Sequence, residues 1–97
     1  MRAEFYPLTV PASVAIGAVF PCAQFREKWV HVHGTFVASM DIEGSMDDTN
    51  WFKVQTAVST PSAVQVSPTI KSLRINVTAY TSGTPAAHFG GFLARAD

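Results

Sequence analysis

The chain has 97 residues, 47% of them hydrophobic and only 14% charged, and its 7 Lys and Arg balance its 7 Asp and Glu. That length makes one domain, the balanced charge gives no sign of the basic stripe a nucleic-acid surface needs, and a single cysteine, Cys22, excludes an internal disulfide. An ordinary domain carries about 25% charged residues, so part of this surface is expected to face protein rather than water.

Residues 1–28 read as an extended, proline-containing N-terminal arm, and residues 29–97 as a β-domain. Pro7, Pro11 and Pro21 prevent long regular structure in the arm. Phe5-Tyr6 and Ser13 to Phe20 fit as short extended pieces, and Gln24 to Lys28 as a polar connection. Such an arm can complete its own sheet or reach onto a neighbour. The start lacks an apolar run before a small-residue cleavage site, and Val14 to Phe20 is too short to span a bilayer. No export signal and no membrane partner are therefore expected, and the chain is expected to be made in a cytoplasm. Cys22 reads as a small buried hydrophobe.

Trp29 to His33 alternates, with Val30 and Val32 toward the core and Trp29, His31 and His33 away from it. Gly34 marks a bulge or bend. From Thr35 to Glu43, Phe36, Ala38, Met40 and Ile42 share one face, and Val37, Ser39, Asp41 and Glu43 the other. Gly44 to Asn50 is a turn, where Asp47, Asp48 and Asn50 suit local bonds to the backbone. Trp51 to Val58 returns, and Ala63 to Val66 is a short strand. Ile70 to Tyr80 is a long one, with Leu73, Ile75, Val77 and Ala79 inward and Arg74, Asn76 and Thr78 outward. Thr81 to Pro85 carries a strong turn signal, and Ala86 to Ala94 closes the domain with a bulge at Gly90-Gly91. About seven to eight short strands without a helix predict an all-β fold, an antiparallel β-sandwich of jelly-roll type.

Candidate chemistry is sparse. His31 and His33 would need a third converging ligand to hold zinc, and only the distant His88 offers one, so they read as surface or interface histidines and no metal or cofactor is expected. The acids around the turn lack the spacing of an EF-hand loop. No nucleophile–base order, phosphate loop or Cys-x-x-Cys motif is present, so no enzyme is expected. Phe5, Tyr6, Trp29, His31, His33, Trp51 and Tyr80 are the candidate interface residues. Trp29, Trp51 and Tyr80 are also a candidate sugar-stacking platform.

The run Ile42-Glu-Gly-Ser-Met-Asp-Asp-Thr-Asn-Trp51, followed by Lys71-Ser-Leu-Arg-Ile-Asn-Val-Thr-Ala-Tyr-Thr-Ser-Gly83, resembles small β-sandwich virion proteins of tailed bacteriophages. In those a strand ends in x-G-S-x-D-x-x-x-W, and a later strand pairs Arg and Asn with Val-Thr and a following Ser-Gly. The resemblance covers residues 34–93. It implies a capsid decoration, or cement, protein on the outside of the head. Such a protein binds the major capsid protein and copies of itself, as a homo-trimer or other homo-oligomer. A carbohydrate-binding module of a tail or fibre, and a tail or head-completion protein, are the alternatives.

Overall fold

The computed structural model describes residues 2–93. Seven strands form one antiparallel sheet: β1 (Arg2–Leu8), β2 (Ala15–Ile16), β3 (Phe20–Pro21), β4 (Phe25–Ser45), β5 (Trp51–Val58), β6 (Ser62–Val66) and β7 (Ser72–Leu93). The fold is all-β, as the strand spacing predicts, and no helix occurs among the described residues.

Two strands organise everything else. β4 has 21 residues and β7 has 22, and they pair along their whole length, from Phe25↔Leu93 to Ser45↔Ser72. At ~3.3 Å per residue a straight β7 would span about 70 Å, yet the longest dimension of the molecule is 46 Å. The ribbon therefore bends. It does so around Gly34 and Gly83, whose φ angles of 99° and 95° lie in the left-handed region that side chains avoid. A Cβ on Gly83 would sit 2.3 Å from the Thr35 carbonyl oxygen, so only glycine fits that inner corner.

The turn expected at Thr81–Pro85 is accordingly not a turn. Thr84, Gly83 and Ser82 stay paired with Thr35, Phe36 and Val37, and the glycine and proline serve the bend inside a continuous strand. Here the ribbon is two strands wide, because β5 ends opposite Met40 and β6 ends opposite Val32.

Bending creates two halves. In the first, Met40–Ser45 of β4 and Ser72–Val77 of β7 are flanked by β5 on one side and by β2 and β3 on the other. In the second, β6 flanks Lys28–Val32 of β4, and β1 flanks Ala87–Leu93 of β7. Residues 1–28, set apart as an arm by sequence, thus supply three strands to this sheet. Arg2 to Leu8 pair with β7 at every position from Leu93 to Ala87.

The halves share one core: Val30, Val32, Ala87 and Phe89 from the second, Met40, Ile42, Leu73, Ile75 and Val77 from the first, and Cys22, Phe25 and Val66 around them. Val30, Val32, Leu73, Ile75 and Val77 are buried as their alternation predicts. Three local expectations change. Ala79 is exposed, because register shifts after Val37 and Ser39 reset the alternation near the bend. Gln24–Lys28 is not a polar connection, since Phe25 is buried and begins β4. The strand expected over Ser13–Phe20 divides into β2 and β3, and Val14, Ile16 and Val19 are exposed. Gly17 lies between them, donating its N–H to the Ile75 oxygen at 2.8 Å.

Candidate functional site

The two halves differ in their outer faces. On the first half, alternation turns Asp41 and Glu43 away from the core, yet both are buried. Glu43 accepts from Arg74 Nε at 2.7 Å, Asn76 Nδ2 at 3.1 Å and Lys53 Nζ at 3.3 Å. Asp41 accepts from Lys53 Nζ at 2.7 Å and from the Ala57 N–H at 3.0 Å. Arg74 in turn lies 4.1 Å over the Trp51 ring. Burial pushes both carboxyls up, but the partners outweigh it and hold both below the ordinary carboxylate range. Two acids and two bases cancel, so the charges of this face are closed off by its own side chains, while Ile16 beside Asn76 stays exposed at its edge.

The turn beyond it is also closed. Asp47 accepts from the backbone N–H groups of Asn50 at 2.7 Å and Thr49 at 2.9 Å, and from Asn50 Nδ2 at 2.8 Å. Those bonds, led by the Asn50 N–H, hold its carboxyl far below the usual range. Asp48 has a φ of 63°, the left-handed conformation expected of an Asp in a tight turn.

The outer face of the second half is open. Phe5 of β1, Gly90 and Phe92 of β7, and Trp29 of β4 line a groove of about 240 Å³ with Ala3, Glu27 and Gly91. A second groove of about 210 Å³ shares Phe5, Trp29 and Gly90 and continues to His31 and His88. Gly90 is the floor. It pairs with Phe5 on one side and Trp29 on the other, and a Cβ there would stand 3.0 Å from the Phe5 ring. The aromatics around it stay in solvent, with Phe5 73%, Trp29 43% and Phe92 39% exposed.

At the far end of this face His31 lies directly opposite His88. His33 Nε2 and His88 Nδ1 are 2.7 Å apart, and the His33 ring is 4.8 Å from that of His88 and 5.2 Å from that of His31. His33 and His88 are 55 positions apart in the chain, so the sequence offers His88 as a partner but does not place it.

Phe5, Trp29, His31 and His33 of the expected interface set share this open face. Tyr6 lies on the opposite face from Phe5 and stays 38% exposed: its ring packs against Phe20 and Phe25, and its hydroxyl donates to Glu4. Trp51 is half-buried on the closed face, opposite Ser45 and under Arg74. Tyr80 is half-buried near the bend, donating its hydroxyl to the Gly83 oxygen at 2.7 Å. Trp29, Trp51 and Tyr80 therefore form no common platform. Phe92, Gly90 and Glu27 belong to the open face and escape sequence reading. A bulge expected at Gly90-Gly91 would break the alternation that carries Phe92 outward. Those glycines instead pair in register with Phe5 and Glu4. The irregularity lies across the ribbon, between Arg26 and Trp29, where Glu27 has a φ of 52°.

Cys22 is fully buried and its thiol is pushed up to about 11 by that burial, so it stays protonated and unreactive at neutral pH. Comparison with known proteins finds no matching family model, curated protein or solved structure.

Proposed function

We propose that this chain is a structural protein that works by docking, of the capsid decoration type, seated on the outside of a phage head against the major capsid protein and copies of itself. The observation that supports this best is the contrast between the two outer faces. One is neutralised by its own buried ion network. The other offers Phe5, Trp29 and Phe92 to solvent around a glycine floor, the aromatic composition of an interface centre.

Size refines the reading. Four strands ~4.8 Å apart and about five residues long make a face of roughly 300–350 Å², against ~800 Å² per partner in a standard interface. The open face is therefore a hot-spot centre, and the remaining area comes from its surroundings. Among the described residues the outer edges of β1 and β6 have no strand partner, and they lie beside it. A lattice of repeated copies supplies such surroundings, and a pair of chains joined by this face alone does not. Zero net charge leaves no long-range repulsion against packing many copies together.

The test is to count copies of the chain per purified virion by quantitative mass spectrometry. Hundreds of copies support decoration. A few to a few tens move the protein to a vertex, tail or fibre, and none removes the phage reading.

A further inference from the structure

We propose that His31, His33 and His88 form a binding site for a single divalent transition-metal ion, of the zinc, copper or nickel class, on the open face of the sheet. Such a site does not depend on the capsid reading. A His-x-His pair on one strand places two imidazoles on one face about 6–7 Å apart at their Cα atoms. A third histidine directly across an antiparallel pair adds its Cβ within about 5 Å of the first. His31, His33 and His88 have this arrangement. The rings already meet, with one nitrogen–nitrogen contact of 2.7 Å and centroid separations of 4.8 and 5.2 Å.

Among the described residues no three side chains stand placed to hold a metal ion as they are, and His33 and His88 each engage one nitrogen on the other. Such a contact needs one ring to donate and the other to accept. Two nitrogens on a tetrahedral zinc, each at ~2.0–2.1 Å, stand about 3.3 Å apart. The His33–His88 contact therefore has only to open by roughly 0.6 Å while the His31 ring turns toward it. The His31 and His88 side chains are exposed and His33 is half-buried, so the two exposed rings have solvent on their outer side to turn into. Three neutral imidazoles leave a fourth position open. His31 and His88 also line the aromatic groove, so the ion would sit at its end.

The test is isothermal titration of the untagged full chain with zinc chloride, and separately with cobalt(II) while following its visible absorption. We expect one ion per chain and an intense tetrahedral-type cobalt spectrum. His31→Ala, His33→Ala and His88→Ala should each weaken binding at least tenfold, with unchanged far-UV circular dichroism. Asp47→Asn, in the closed turn, should bind like the parent. Absence of binding below ~100 μM metal overturns the proposal. So does any one of the three histidine variants that binds like the parent.

Discussion

Phe20 and Phe89 touch, with ring centroids 4.8 Å apart, although Phe20 pairs beside Leu73 and Phe89 lies at the other end of the same strand. On a straight β7 those rows would stand about 50 Å apart. The contact exists because the ribbon bends at Gly34 and Gly83 and lays one half over the other. Phe25 extends it, 5.0 Å from Phe89. Phe89→Ala would therefore empty the seam between the halves. We expect a loss of about 3–5 kcal/mol, read as a lower midpoint in urea unfolding with the slope unchanged.

Gly90 and Gly91 are adjacent and opposite in effect. A Cβ on Gly91 points inward, 3.1 Å from Phe89 and 3.3 Å from Phe25, while one on Gly90 points out against Phe5. Gly91→Ala is expected to destabilise by about 1–3 kcal/mol through overpacking. Gly90→Ala meets only an exposed ring free to swing away, and should cost under about 1 kcal/mol while filling the groove. If the chain docks as proposed, Gly90→Ala and Phe5→Ala lower its occupancy on virions without lowering its melting temperature much. Thermal melts and quantitative mass spectrometry of particles separate the two effects.

The closed face predicts an acid limit. Asp41 and Glu43 have folded-state values below their unfolded ones. Their contribution is therefore complete above the ordinary carboxylate range and disappears as pH falls through the lower folded values. Urea midpoints should hold steady from neutral pH down to about 5 and then fall. Glu43→Gln removes the charge and one acceptor from a group that receives three side-chain donors. It should cost about 1–3 kcal/mol at neutral pH and flatten the acid limb. A variant whose midpoint keeps the parent's pH profile would show that the network does not control it.

Much of this architecture is legible in the chain, and the part that is not has one cause. Val30, Val32, Met40, Ile42, Leu73, Ile75 and Val77 announce their burial by alternation, which is a local property. The bend is not local. Gly34 reads as a bulge or bend and Gly83 as part of a turn, because a glycine's sequence context does not say whether its strand ends there or folds over. The open face depends on that distinction. His88 reaches His31 and His33 only once β7 is known to run through Thr81–Pro85 and return along β4. Asp41 and Glu43 read as solvent-facing acids for a similar reason, since Arg74 and Lys53, which cover them, come from other strands.

Cys22 gives a kinetic check on the same core. Its thiol is fully buried and pushed up to about 11, so it combines poor access with a small thiolate fraction at pH 8. Ellman's reagent should leave it unmodified in the native chain and react with one thiol per chain in denaturant. The native rate then reports how often the β2–β3 edge opens. Rapid native labelling would show that this edge is not held closed over Cys22.

Asp41 maintains a bulge in β5. Met40 pairs with Val58 and Ile42 with Gln55, so Thr56 and Ala57 together oppose Asp41. Ala57 takes a φ of 53°, and its N–H donates to Asp41 Oδ1 at 3.0 Å. A left-handed alanine costs roughly 1–2 kcal/mol relative to a residue without a Cβ, partly offset because glycine has more freedom to lose on folding. Ala57→Gly should therefore raise stability by up to about 1 kcal/mol. Asp41→Ala should lower it by about 1–3 kcal/mol, since the Ala57 N–H and the Lys53 ammonium both lose their acceptor. In the double variant the two effects should not add, because relaxing the bulge changes how far it depends on the carboxylate. A double-mutant cycle in urea measures that coupling, and strict additivity would mean that Asp41 acts on Lys53 alone.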